Sequence, residues 1–124
     1  MDMLLTEKRE QDRINLSLPV EYYPTDSAAR STGYPQQGYT VNASENGLMV
    51  ISRDEIPMDS DLRIKLFFSS PNLRSVETLS HVIWVTRREK DRDYLAGLQI
   101  VSAEQEDLRK WEQFLDKLFS LKPF

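Results

Sequence analysis

The hydrophobic period of this chain changes once, and that change restricts the fold more than any other feature. Between Asn15 and Val101 the apolar residues recur mostly at every second position, in runs separated by turn sequence. Beyond Ser102 they recur at every third or fourth. Period two is the pattern of a strand with one buried face, and a period near 3.6 that of an amphipathic helix. The first run places Leu16, Leu18, Val20 and Tyr22 on one face and Asn15, Ser17, Pro19 and Glu21 on the other, with Pro19 marking an edge or a strand start. Residues 24–38, "PTDSAARSTGYPQQG", are rich in Pro, Gly, Ser and Thr and predict a long loop. Tyr39, Val41 and Ala43 then alternate with Thr40, Asn42 and Ser44, and "LMVIS" after the next turn is apolar on both faces.

Further strands follow at Leu62, Ile64, Leu66 and Phe68, along the β-branched and aromatic "VETLSHVIWVTRR", and in "YLAGLQIV". "RDEIPMDSD", "SSPNLRS" and "REKDRD" punctuate them as turns. About six strands at this spacing predict a small antiparallel barrel or sandwich. At the end, Ser102 and Gln105 have the spacing of a capping box, and Leu108, Trp111, Leu115 and Leu118, widened by Phe114 and Phe119, form one apolar stripe. The spacing predicts a helix over 103–119 that packs on the strands as a lid, with a dimerising helix as the alternative.

Composition narrows function. A length of 124 residues suits one core, and 40% apolar with 29% charged residues is the mixture of a soluble globular domain. With no cysteine, a disulfide framework, a thiolate metal site and a cysteine nucleophile are all excluded. No apolar stretch approaches the roughly 20 residues of a membrane-spanning helix, and the first residues lack the basic-then-apolar order of a signal peptide, so a cytoplasmic protein is expected. A net charge of −4 repels rather than attracts a nucleic-acid polymer, but leaves room for a small anion on a local basic cluster.

Catalysis finds little support. The single histidine, His81, lies in a strand-like run with no nucleophile or metal-ligand spacing around it, which reads as a packed or edge residue. Neither a carboxylate pair nor a phosphate-cradling glycine loop can be nominated, and no metal or cofactor is expected. Two patterns do suggest binding. Arg9 and Arg13, with Lys8 beside them, are spaced R-x-x-x-R before the first strand, and an arginine fork matches a phosphate or the O6/N7 edge of guanine. The spacing alone is uninformative, because Arg88 and Arg92 repeat it in a charged turn.

The second pattern is "NASENG", residues 42–47. Asn46-Gly47 between apolar runs predicts a type I′ hairpin turn, in which both residues would take positive φ. That turn does not require Asn42 or Ser44. Scored as Asn or Asp, any residue, Ser, any two residues, Gly, the hexamer is expected by chance about 0.04 times in a chain of this composition. Strand periodicity places Asn42 and Ser44 on one face, and Gly47 leaves bare backbone beside them, a floor for a flat polar ring.

Together and in this order, the Arg pair and the hexamer resemble the PilZ domain family, whose motifs are R-x-x-x-R and (D/N)-x-S-x-x-G. The resemblance extends from about Lys8 to Val101. It implies a mainly β fold, a six-stranded antiparallel split β-barrel with a C-terminal α-helix, as a single domain over 1–124. Within it, residues 1–14 would be a flexible arginine arm, 15–101 the barrel and 103–119 the helix. The family's members are receptors for the bacterial second messenger cyclic di-GMP, so the resemblance implies a non-enzymatic nucleotide-binding module. Arg9 and Arg13, with Lys8, would reach phosphates and guanine edges; Asn42 and Ser44 would hydrogen-bond a guanine, and Gly47 would keep the path open. Asn42 offers one carbonyl where Asp offers two charged oxygens, so weaker binding than an Asp version is expected. The signal would pass, from a monomer or homodimer, to an output protein of motility, pilus or polysaccharide machinery and so of biofilm formation. A PilZ-like protein-interaction adaptor that does not bind the nucleotide is the alternative.

Overall fold

The computed structural model describes residues 13–25 and 35–121, all of whose strands pair antiparallel. In chain order they are β1 (Ile14–Asn15), β2 (Pro19–Pro24), β3 (Gln36–Ala43), β4 (Gly47–Ser52), β5 (Asp61–Ser70), β6 (Leu73–Arg88) and β7 (Asp93–Ser102), followed by helix α1 (Gln105–Leu121). The sheet runs β3-β2-β5-β6-β7-β4, and β4 returns to pair with β3, closing a six-stranded barrel. Closure removes the open edges that a small sheet otherwise exposes. β1 adds two residues to the far end of β3, Ile14 opposite Ala43 and Asn15 opposite Asn42.

The predicted alternation fills the barrel through most of its length. Val20, Tyr22, Leu48, Val50, Leu62, Ile64, Leu66, Val76, Val82, Ala96 and Leu98 point inward and are buried. Inside, the Tyr22 hydroxyl donates to Ser52 Oγ at 2.8 Å, and Ser52 donates to the Gln37 carbonyl at 2.8 Å. Burial pushes the Tyr22 phenol up to about 12, against a smaller opposing effect of the Ser52 bond, so the side chain stays neutral.

The outcome differs from the expected alternation in β3. Tyr39 and Val41 face outward, 55% and 37% exposed, while Thr40 and Ala43 are buried. A bulge between Thr40 and Asn42 inserts Val41 as an extra residue, and this switches the phase of the strand. The same site interrupts the first predicted strand. β1 and β2 are two segments broken at residues 16–18, and the Thr40 hydroxyl bridges the break by accepting from Leu18 N–H at 2.8 Å and donating to the Leu16 carbonyl. Burying a hydroxyl here is tolerated because both of its hydrogen-bonding roles are filled.

Helix α1 closes one mouth of the barrel, as a lid. Trp111 and Leu115 are fully buried, and Trp111 packs with Phe68 and Phe114 at centroid separations of 6.4 and 6.1 Å. An indole removes about 200 Å² from water, about 5 kcal/mol at 25 cal/mol per Å² as an upper bound. The helix starts later than the capping-box spacing suggests, because Ser102 is still paired in β7 opposite Leu79, and the Glu104 carbonyl accepts the first helical bond, from Leu108 N–H at 2.9 Å. Leu108, placed in the stripe, is 37% exposed. No described helix is long and apolar enough to cross a membrane.

Candidate functional site

The hairpin between β3 and β4 is where the second motif lies, and its turn is not the one the Asn-Gly pair predicts. Ser44 N–H donates to the Gly47 carbonyl at 2.9 Å, spanning Glu45 and Asn46. Positive φ among the described non-glycine residues is confined to Asp59 and Arg92, so Asn46 does not adopt a type I′ conformation. The turn is held from outside instead. The Asn46 carbonyl accepts from Ile100 N–H of β7 at 2.8 Å, and the Glu45 carbonyl from the Trp111 indole N–H at 3.4 Å. Core packing of the lid helix therefore fixes the position of the hairpin tip.

Gly47 has a different role, a close approach. A Cβ at this position would sit 3.1 Å from Arg13 Nη2, 3.2 Å from the Leu98 carbonyl oxygen and 3.5 Å from Ser44 Oγ. The missing side chain lets the guanidinium lie against the backbone of β4. Arg13 reaches it because the β1 pairing delivers the preceding residue to the end of β3, next to the hairpin. Arg13 Nη1 donates to Asn42 Oδ1 at 2.9 Å, and Asn42 Nδ2 lies 3.5 Å from Met49 Sδ. Ser44 is 4% exposed, and its hydroxyl makes no hydrogen bond among the described residues.

Arg13, Ser44 and Gly47 border an open cleft of about 350 Å³ that Asn46, Ile83, Leu98 and Gln99 also line, whereas Asn42 stands behind Arg13. Sequence reasoning had not singled out Ile83 or Gln99. Ile83 lies in a bulge of β6 between Val82 and Trp84, which turns it outward to 51% exposure. Gln99 of β7 is directly opposite Gly47 across the β4–β7 ladder. A bulge cannot be read from period alone, and the register of β7 against β4 is a long-range fact; neither had a local signal. Of the residues singled out from sequence, Arg13, Asn42, Ser44 and Gly47 converge, whereas Arg9 and Lys8 lie outside the described residues.

A larger cleft of about 660 Å³ lies on the outer face of β2, β3 and β4, among Pro19, Tyr39, Ile51, Arg53 and Phe67. None of the motif residues lines it. His81 is half-buried and paired on both sides of β6, opposite Asp61 of β5 and Gln99 of β7, with its Nδ1 2.7 Å from Asp61 Oδ1 and its Nε2 3.0 Å from Asp59 Oδ1. The hydrogen bonds to Asp61 and then Asp59 raise its pKa, and they tie the turn before β5 to the barrel. Among the described residues no group of three His, Asp or Glu side chains is placed to hold a metal ion.

The description of the PilZ domain as a family matches residues 7–117 of the sequence. The chain belongs to the PilZ domain family. Solved structures share the PilZ barrel at low identity. The Bacillus subtilis inhibitor of motility, MotI/DgrA, aligns with a TM-score of 0.68 at 16% identity, covering 90% of this chain and 51% of its own. The PilZ domain of Escherichia coli YcgR with c-di-GMP aligns at 0.60 and 9% identity, covering 88% and 89%. Borreliella burgdorferi PlzA in complex with c-di-GMP aligns at 0.59 and 14% identity, covering 98% and 57%. This PilZ domain therefore spans about half the length of MotI/DgrA and of PlzA. Comparison with curated proteins by sequence gives no significant match.

Proposed function

We propose that the protein is a cyclic di-GMP receptor, a ligand-binding rather than catalytic module, and that the cleft beside the β3–β4 hairpin takes one guanine-phosphate half of the dinucleotide. One observation supports this reading: Arg13, far from the hexamer in sequence, is hydrogen-bonded to Asn42 and lies against Gly47, so the second arginine of the R-x-x-x-R pattern borders the same open cleft as Ser44 and Gly47. A planar guanidinium that spends one of its five N–H donors on Asn42 among the described residues suits a phosphate or a guanine edge. Arg9, with Lys8, would close over the ligand from the arm. Fixing each residue of that arm costs about 1–2 kcal/mol of conformational entropy, which the charged contacts must exceed. The ordered arm then presents a new surface to an output protein, and the c-di-GMP complexes of the similar YcgR and PlzA support the same ligand class here.

Calorimetric titration of the protein with cyclic di-GMP tests the reading. Saturable binding at or below tens of micromolar is expected. A flat titration at that concentration would leave the adaptor alternative in its place.

A further inference from the structure

We propose that, within this receptor cleft, Gln99 reads the guanine edge while Asn42 is a positioning residue that acts on Arg13. The inference rests on the receptor reading above and departs from the motif-based assignment of Asn42 to the base. A guanidinium can only donate, so the 2.9 Å contact fixes the carboxamide of Asn42 with its oxygen toward Arg13. Its Nδ2 is then directed at Met49 Sδ rather than at the cleft. Asn42 does not line the cleft, whereas Arg13 and Gln99 do. The hydrogen bond holds Arg13 against Gly47 before any ligand arrives, which lowers the entropy cost of binding.

Gln99 has the complementary properties. It is exposed, and its carboxamide has no partner among the described residues. Across one side of its strand stands Gly47, with no side chain to cover it. Across the other stands His81, whose two ring nitrogens are both engaged by Asp59 and Asp61 and so do not compete for the amide. A free carboxamide offers one acceptor and one donor side by side. Guanine presents N1–H beside O6, so Oε1 accepts from N1–H while Nε2 donates to O6. The exposed Ile83 beside it supplies an apolar contact for the ring.

The test is a set of calorimetric titrations with cyclic di-GMP on the full chain carrying Gln99→Leu, Asn42→Ala, Arg13→Ala and the two double variants that include Arg13→Ala. Leucine at 99 occupies an exposed strand position, so the melting temperature is expected to be unchanged and the loss of affinity to be about tenfold, the size of one bidentate base contact. Asn42→Ala is expected to weaken the wild type severalfold but to add nothing once Arg13 is alanine, whereas Gln99→Leu should cost the same in both backgrounds. Wild-type binding that Gln99→Leu leaves within twofold overturns the role of Gln99 alone. An Asn42→Ala loss that persists without Arg13 overturns the positioning role and returns Asn42 to the base. Absence of wild-type binding overturns the receptor reading and this assignment with it.

Discussion

Arg13 and Arg88 both belong to an R-x-x-x-R spacing, and the fold treats them in opposite ways. Arg88, at the end of β6, donates to Asp93 through Nε at 2.7 Å and Nη2 at 2.9 Å, with Asp91 3.6 Å away. Its fork is fully engaged in closing a hairpin, and the paired Asp93 carboxylate is held below the usual carboxylate range. Among the described residues Arg13 makes one hydrogen bond, to an uncharged amide, and it lines an open cleft. The lesson is that the spacing says nothing about function. What separates the two is the chemistry opposite: a carboxylate saturates an arginine, and a carboxamide orients it while leaving its charge available.

Exchanging the roles is the sharpest test of that difference. Arg13→Ala is expected to weaken cyclic di-GMP binding by about 10- to 150-fold, the equivalent of 1.5–3 kcal/mol for hydrogen bonds to a charged group. Thermal unfolding should move by no more than about 0.5 kcal/mol, since an exposed side chain with one neutral bond contributes little. Titration beside a melting curve decides it: unchanged affinity would remove Arg13 from the site, and a large loss of stability would make it a structural arginine like Arg88. Gly47→Ala probes the same contact from the other side. A Cβ 3.1 Å from the guanidinium and 3.2 Å from the Leu98 carbonyl is tighter than ordinary contact at both, and the flexible arginine is the easier of the two to displace. Affinity should fall severalfold, and equal affinity would show that the close approach is not needed for binding.

Arg88→Ala should reverse the pattern. The hairpin between β6 and β7 loses its clamp, and the melting temperature is expected to fall by a few degrees, as partly exposed ion pairs of good geometry do. Cyclic di-GMP affinity should remain within twofold, because neither Arg88 nor Asp93 touches the cleft. A binding defect in this variant would break the comparison.

Much of this was legible in the sequence, and the reasons differ by element. The interior of β2, β5 and the lid face of α1 followed from residues such as Val20, Ile64 and Trp111, because burial of one face imposes a period and each strand there keeps its phase. The motif order singled out Arg13, Asn42, Ser44 and Gly47, which the fold brings together beside the β3–β4 hairpin. β3 was misphased, since the bulge at Val41 is stabilised by a hydroxyl bridge to Leu16 and Leu18, more than twenty residues away in the chain. Gly47 was found for an incomplete reason. The Asn-Gly pair suggests positive φ, whereas in the structure the bare backbone at 47 admits a close approach of Arg13. Gln99 and Ile83 carried no local signal at all; they enter the cleft only through the pairing of β7 with β4 and the bulge in β6.

The smallest effects come from pH, and they distinguish the two arginines once more. The bond from Arg88 lowers the folded pKa of Asp93 below its ordinary value of 3.8, so the pair's contribution is complete above that value and is lost as pH falls through the lowered one. His81 has the opposite sign. Its folded pKa is raised above 6.5 by Asp61 and Asp59, so its contribution is complete below 6.5 and is lost as pH rises through the raised value. Asn42 carries an uncharged carboxamide, so its removal takes no ionisable side chain from the protein and should add no slope of its own. Urea unfolding from pH 3 to pH 9 is therefore expected to lose its acid limb partly in Asp93→Asn and its near-neutral decline in His81→Gln, while Asn42→Ala leaves the profile parallel to wild type. A change of shape in the Asn42 variant would mean that Arg13 is coupled to an ionised group, and the distinction from Arg88 would then be one of degree.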